Sequence, residues 1–198
     1  MKKLGILVSG RGSNMTAIID ACEQGYLLAN VEIVISDNPD AEALTIAKER
    51  KISTIHFDTP VCKNLRLLDT SICEVLRNYE IDFVLLAGYM KMVGPLVLSS
   101  FEGKILNVHP SLLPKHGGQG MYGINVHRAV IDAGEKKSGA TIHLVNSDYD
   151  KGKILGQKSV IVDKDDTPDS LAKKVLKIEH SLYVETLKKL LKDKLHYK

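Results

Sequence analysis

The chain has no tryptophan, few aromatic residues and no long apolar run. Aromatic side chains make up 5% of its 198 residues, and its three cysteines are Cys22, Cys62 and Cys73. Roughly 18 apolar residues in a row are needed to cross a bilayer, so the sequence argues against a membrane protein. The cysteines form no C-x-x-C pair, and neither a disulfide framework nor a zinc site is indicated. We therefore expect a protein of the reducing cytoplasm that binds no metal.

The charges of the chain are nearly balanced, with a formal net charge of +3. Its densest basic stretch, residues 188–198, falls on a predicted terminal helix and its tail and contains no motif for nucleic-acid binding. Such a stretch is more typical of a solvated helix face than of a nucleic-acid site. We expect small-molecule ligands and no nucleic-acid or membrane partner. Both a monomer and a homodimer are compatible with the sequence.

Short runs rich in Val, Ile and Leu alternate with longer amphipathic segments. The runs cover residues 4–8, 31–35, 54–57, 83–87 and 105–109, and helical periodicity covers residues 15–23, 41–50 and 65–78. Two more strands, 141–145 and 154–162, precede a helix that starts at Pro168 behind a capping Thr167. This order predicts one α/β domain over residues 1–198, with a mostly parallel central sheet and helices on both faces.

Between residues 110 and 125 the periodicity stops, and two prolines and four glycines mark a long loop. Loops of this length inside compact domains are usually functional. We therefore expect this loop to cover a binding site.

Residues 9–14, with the sequence Ser-Gly-Arg-Gly-Ser-Asn, lie between the first predicted strand and the first predicted helix. Small residues here would let an anion approach the N–H groups at the helix start. The dinucleotide pattern G-x-G-x-x-G is not met, because Met15 stands at its third glycine. The loop predicts phosphate binding at Gly12, Ser13 and Asn14. A tight turn in which Ser13 or Asn14 caps the helix is the structural alternative, and it is compatible with phosphate binding.

Asn107 and His109 are two residues apart on a predicted strand, so their side chains share one face of the sheet. They lie at the carboxyl end of the strand, where open α/β sheets bind their ligands. An amide can stabilise an oxyanion, and an imidazolium can supply a proton to the same group. The structural alternative is that both residues only satisfy the neighbouring loop.

The sequence N-V-H-P-S-L-L-P at residues 107–114 resembles the signature of the folate-dependent formyltransferases. In that family an aspartate after a later strand completes the site, and the resemblance places it at Asp150, with Asp148 as the second candidate. The resemblance covers nearly the whole chain and implies a Rossmann-like formyltransferase fold. It also implies a phosphate-binding half at about residues 1–100 and a folate-binding, catalytic half at about residues 101–198, with 10-formyltetrahydrofolate as co-substrate.

Within the family, the loop at Gly12 to Asn14 is similar to that of members that act on glycinamide ribonucleotide, an intermediate of purine synthesis. The resemblance implies transfer of the formyl group to the amine of that ribonucleotide. In this hypothesis Asn107 holds the oxyanion, His109 donates a proton, and Asp150 raises the pKa of His109. The extra domains of members that act on tRNA or hydrolyse the folate are not expected here.

The resemblance assigns further residues to the two substrates. Glu179 matches a residue that holds the amine or the ribose, with a solvated helix position as the structural alternative. The folate is expected against Met90, Lys91, Met92, Val93, Asn146, Ser147, Asp148, Tyr149 and Arg66. Packing in the core is the structural alternative for the two methionines. His143, inside a strand, is predicted to make a structural hydrogen bond rather than to take part in chemistry.

Two other functions stay open at this level. A related enzyme that hydrolyses formyltetrahydrofolate or formylates another amine would need no phosphate at Gly12 to Asn14. A Rossmann-type nucleotide-binding module would keep the glycine loop without needing Asn107, His109 and Asp150 together. The occurrence of all three residues favours the enzyme.

Overall fold

The computed structural model describes residues 1–57 and 63–192, so Cys62 and residues 193–198 of the basic stretch lie outside the described residues. The strands are β1 (Lys2–Val8), β2 (Ala29–Ser36), β3 (Ser53–His56), β4 (Phe83–Leu86), β5 (Ile105–His109), β6 (Lys137–Leu144) and β7 (Ile154–Ile161). The helices are α1 (Ser13–Glu23), α2 (Glu42–Glu49), α3 (Leu65–Asn78), α4 (Pro95–Ser100), α5 (Ile124–Asp132) and α6 (Pro168–Lys192).

All seven strands join one sheet in the order β3-β2-β1-β4-β5-β6-β7. The first five strands are parallel, while β6 and β7 run antiparallel to their neighbours. The predicted mostly parallel α/β fold is confirmed. Within the described residues, no helix is both long and apolar enough to span a membrane.

Two apolar cores cover the two faces of the sheet. On β1, Leu4, Ile6 and Val8 belong to one core and Leu7 to the other, because successive side chains of a strand point to opposite faces. Helices α1, α2, α5 and α6 contribute to the first core, and α3 and α4 to the second. The buried hydroxyl of Tyr183 on α6 shares its hydrogen between the carbonyl oxygens of Leu86 on β4 and Leu106 on β5, at 3.3 and 3.0 Å.

Helix α4 was not predicted from the sequence, and the loop predicted after β5 extends too far. Helix α4 has six residues, too few for a recognisable period, and its first N–H groups donate to a carboxylate of another helix. Asp69 of α3 accepts from the N–H groups of Leu96 and Val97 at 2.8 and 3.0 Å. The loop between β5 and α5 therefore covers residues 110–123 and is called the β5–α5 loop below.

The carboxyl ends of β1, β4 and β5 meet at one edge of the sheet. The N–H of Ser9, just after β1, donates to the carbonyl of Gly88, just after β4, at 3.1 Å. This is the edge at which parallel sheets bind their ligands.

Candidate active site

A cavity of about 640 Å³ lies along this edge of the sheet. Its walls come from the loops after β1 and β4, the end of β5, the β5–α5 loop, the turn between β6 and β7, and one side of α6. Segments far apart in sequence thus meet around a single space.

Pairing of β5 with β6 assembles one end of the cavity. Asn107 lies opposite His143 in the antiparallel register, and its Nδ2 is 3.2 Å from Nε2 of His143. Nδ1 of the same ring donates to the carbonyl oxygen of Leu144 at 2.8 Å, since a carbonyl oxygen only accepts. The predicted structural hydrogen bond of His143 is therefore present, and the same ring also orients Asn107.

Asp150 joins this end from the turn after β6. Its Oδ2 lies 3.4 Å from Nδ1 of His109 and its Oδ1 lies 3.5 Å from Nε2 of His143. The N–H of Gly118 donates to Oδ2 at 2.9 Å. Burial opposes ionisation, but the hydrogen bond from His143, the charge of His109 and the N–H of Gly118 together lower the pKa of Asp150. The carboxylate is thus ionised at neutral pH.

Asp150 raises the pKa of His109 as predicted, but the net pKa of the ring lies below its ordinary value. Burial of the ring is the largest influence and lowers the pKa of His109, although Asp150 and the carbonyl of His116 act in the opposite direction. The ring is 3% exposed, so desolvation of the charged form outweighs its attraction to one carboxylate.

Both nitrogens of the His109 ring face acceptors. Nε2 is 2.8 Å from the carbonyl oxygen of His116, and Nδ1 faces Asp150. Neither a carbonyl nor a carboxylate can donate, so both contacts are satisfied only when the ring carries two hydrogens. The geometry therefore fits the imidazolium, which burial disfavours, and the ring is poised between its two charge states.

The other end of the cavity is formed by α1 and α6. Nδ2 of Asn14, in the first turn of α1, donates to Oε2 of the buried Glu179 on α6 at 2.6 Å. Burial raises the pKa of Glu179, and the hydrogen bond from Asn14 opposes this shift. The solvated position considered for Glu179 is wrong, since the side chain lies on the wall of the cavity.

No side chain caps the N-terminus of α1. The cap residue is Gly12, with a φ of 77°, and a Cβ there would lie 2.6 Å from Cβ of Ala43. The alternative in which Ser13 or Asn14 caps the helix is therefore wrong. Within the described residues, the buried Oδ1 of Asn14 has no hydrogen-bond partner.

The residues predicted to hold folate form the wall between these two ends, with one exception. Met90 and Met92 are 59% and 53% exposed, so they are not part of the core. Val93 and residues 146–149 line the same cavity. Arg66 lies exposed at the start of α3 and is not on the cavity wall, so the structure gives its prediction no support.

His127 on α5 is a cavity residue that the sequence analysis did not assign to the site. Its buried Nδ1 has no hydrogen-bond partner within the described residues, and burial followed by the charge of His109 lowers its pKa to about 4. No sequence motif marks it, because its approach to His109 depends on how the β5–α5 loop folds back. Among the described residues, no group of three His, Cys, Asp or Glu side chains is placed to hold a metal ion.

Comparison with known proteins agrees with this geometry. A sequence profile of the formyl transferase family matches residues 2–187. The chloroplastic phosphoribosylglycinamide formyltransferase of Arabidopsis thaliana is 41% identical over 200 residues, covering 100% of this chain and 68% of the relative. The phosphoribosylglycinamide formyltransferase of Haemophilus influenzae is 37% identical and covers 95% of this chain and 86% of the relative.

Solved structures give the same result. The crystal structure of glycinamide ribonucleotide transformylase 1 from Symbiobacterium toebii matches with a TM-score of 0.93 at 35% identity, covering 100% of this chain and 91% of that one. With a family profile that matches nearly its whole length, this chain belongs to the formyl transferase family.

Proposed function

We propose that this chain transfers the formyl group of 10-formyltetrahydrofolate to the amine of glycinamide ribonucleotide, a step of purine synthesis. The observation that carries the proposal is that two separate groups of polar residues lie at the two ends of one cavity. Asn107, His109 and Asp150 meet at one end, and the uncapped start of α1 with Asn14 and Glu179 forms the other. The names of the relatives support the same substrate.

The start of α1 suits the phosphate of the ribonucleotide. Free N–H groups and the positive end of the helix dipole both favour an anion. Gly12, Ser13 and Asn14 would supply these N–H groups. Glu179, fixed by Asn14, has a carboxyl group that can accept from the ribose hydroxyls or from the amine.

The wall between the two ends suits the folate. The exposed side chains of Met90 and Met92 can lie against a flat ring system, because thioether side chains adapt to aromatic surfaces. Lys91, Val93, Asn146, Ser147, Asp148 and Tyr149 complete this proposed folate site.

At the catalytic end, each residue has a separate task. The amine nitrogen forms a bond to the formyl carbon, and negative charge develops on the formyl oxygen. Asn107, oriented by His143, donates a hydrogen bond to this oxygen. His109 in its protonated form supplies a proton, and Asp150 stabilises that form and takes up the proton released by the attacking amine. The oxyanion then collapses to the carbonyl of the new formamide, the bond from the formyl carbon to the folate nitrogen breaks, and that nitrogen receives the proton of His109.

The proposal is tested by following loss of 10-formyl folate spectrophotometrically, with and without glycinamide ribonucleotide. We expect turnover only when the ribonucleotide is present. Turnover that is equal with and without it would identify a hydrolase instead. Absence of any turnover, with folded protein, would favour the nucleotide-binding module.

Free thiols at Cys22 and Cys73 support the further proposal of a reducing, cytoplasmic location.

A further inference from the structure

A chain of contacts connects a surface carboxylate to the ring of His109. Glu135, in the turn between α5 and β6, accepts from Nζ of Lys115 at 2.9 Å and lies 3.4 Å from Nε2 of His116. The backbone carbonyl of His116 in turn lies 2.8 Å from Nε2 of His109. Glu135 is therefore two contacts away from the catalytic ring, although it is not on the cavity wall.

The backbone at His116 has an uncommon conformation. Its φ of 53° is in the left-handed region, which few residues other than glycine adopt, although asparagine, aspartate and histidine do so more often than the rest. Within the β5–α5 loop, Ser111 donates to the carbonyl of Lys115 at 2.6 Å, and Gly118 donates to Asp150. These two contacts hold the loop over the ring on either side of His116, but neither fixes the direction of the His116 carbonyl.

We propose that Glu135 and His116 are positioning residues, which aim the His116 carbonyl at Nε2 of His109 and so hold the ring against Asp150. The inference rests on the proposed formyl transfer, in which His109 moves a proton. Glu135 acts through the side chain of His116, and neither side chain needs to contact a substrate.

The titratable groups around His109 determine what loss of this support does. Asp150 and the His116 carbonyl raise the pKa of His109, whereas burial and the charges of His143 and His116 lower it, and His127 approaches from α5. If the His116 carbonyl turns away while Ser111 and Gly118 keep the loop in place, the His109 ring remains buried but loses one contact that stabilises its charged form. The pKa of His109 then falls.

Two variants separate this effect from a simple change of charge. Glu135→Gln removes a negative charge, which by charge alone lowers the pKa of His109. His116→Asn removes a side chain whose positive charge lowers that pKa, so by charge alone it raises the pKa. Asparagine tolerates a positive φ, which keeps the loop backbone accessible to the variant. The proposed chain of contacts from Glu135 through His116 to His109, which we call the tether, predicts a fall in the pKa of His109 in both variants.

The experiment is an NMR titration of the His109 ring in the full chain without substrates, assigned with a His109→Ala sample, combined with steady-state kinetics. Each variant should lower the pKa by about half a unit and kcat by roughly three- to tenfold, with little change in KM. The double variant should resemble either single variant, since both break one link. Glu80→Gln, which breaks an exposed ion pair with Lys3, is the matched control and should change neither quantity.

Shifts of opposite sign in the pKa of His109 between the two variants would show that only the charges of Glu135 and His116 matter, and this would overturn the tether. An unchanged pKa and kcat in both, or a rise in both as the ring becomes hydrated, would overturn it as well. If the unmodified protein shows no ribonucleotide-dependent turnover, the proposed function fails, and the substrate-free titration still decides on the tether.

Discussion

The two ends of the cavity differ in how their polar groups are satisfied. At the catalytic end, Asn107, His109, His143 and Asp150 contact one another or the backbone, and within the described residues the neighbouring His127 has one ring nitrogen, Nδ1, without a partner. At the α1 end no side chain caps the helix, and Oδ1 of Asn14 has no partner within the described residues. Buried polar groups are rarely left unpaired without a reason. We infer that the catalytic end is organised before substrates bind, whereas the α1 end is completed by the ligand.

The largest expected effect comes from breaking the catalytic end. Asn107→Ala, His109→Ala and Asp150→Ala should each lower kcat by roughly a hundredfold or more, because each removes a group that we propose acts on developing charge. Steady-state turnover with saturating substrates measures this loss, and thermal unfolding checks that each variant folds.

Asp150→Asn is the matched control for geometry, since asparagine can still accept from the N–H of Gly118 but carries no charge. It should be as inactive as Asp150→Ala. Full turnover in this variant, or in all three alanine variants, would contradict the assigned roles.

A second prediction concerns the positive charge of protonated His127, which burial beside the catalytic end disfavours. His127 has a pKa of about 4 in the fold, against about 6.5 in an unfolded chain. The unfolded state therefore binds more protons between these pH values, so stability is complete above about pH 6.5 and is lost as the pH falls toward 4. Between pH 7 and pH 5 this one group should lower the free energy of unfolding by about 2 kcal/mol.

Urea unfolding of the unmodified chain and of His127→Gln at both pH values measures this contribution. The variant should lose about 2 kcal/mol less than the unmodified chain on acidification. Equal losses in the two proteins would show that His127 is not held neutral.

The third prediction tests the α1 end alone. Glu179→Gln keeps an oxygen for the amide of Asn14 but cannot ionise, so the fold should persist. We expect KM for the ribonucleotide to rise about tenfold, with a smaller change in kcat. Glu185→Gln, at an exposed position of the same helix, is the control. A large fall in kcat with unchanged KM would place Glu179 in the chemical step instead.

The sequence predicted the position of the site better than its electrostatics. Strand β5 and helix α3 have the predicted bounds, because each has a clear period, and the motif at Asn107 and His109 lies on β5. The lowered pKa of His109 was not predictable in the same way. It depends on burial beneath the β5–α5 loop, whose His116 carbonyl contacts the ring, and that loop has no periodic pattern from which its path could be predicted. Helix α4 was missed for a related reason, since the Asp69 that caps it is 27 residues from Leu96.

The smallest expected effect lies outside both ends of the cavity. Arg66 is exposed in the first turn of α3, away from the cavity wall, so Arg66→Ala should change KM for the folate by less than about twofold. Met92→Ala, on the wall, should raise it several-fold, since the contact with the ring system is lost. Measuring KM for 10-formyl folate in both variants compares the two positions directly. A clear rise for Arg66→Ala would mean that the bound folate extends past the cavity to α3, and the boundary of the folate site would then move to that helix.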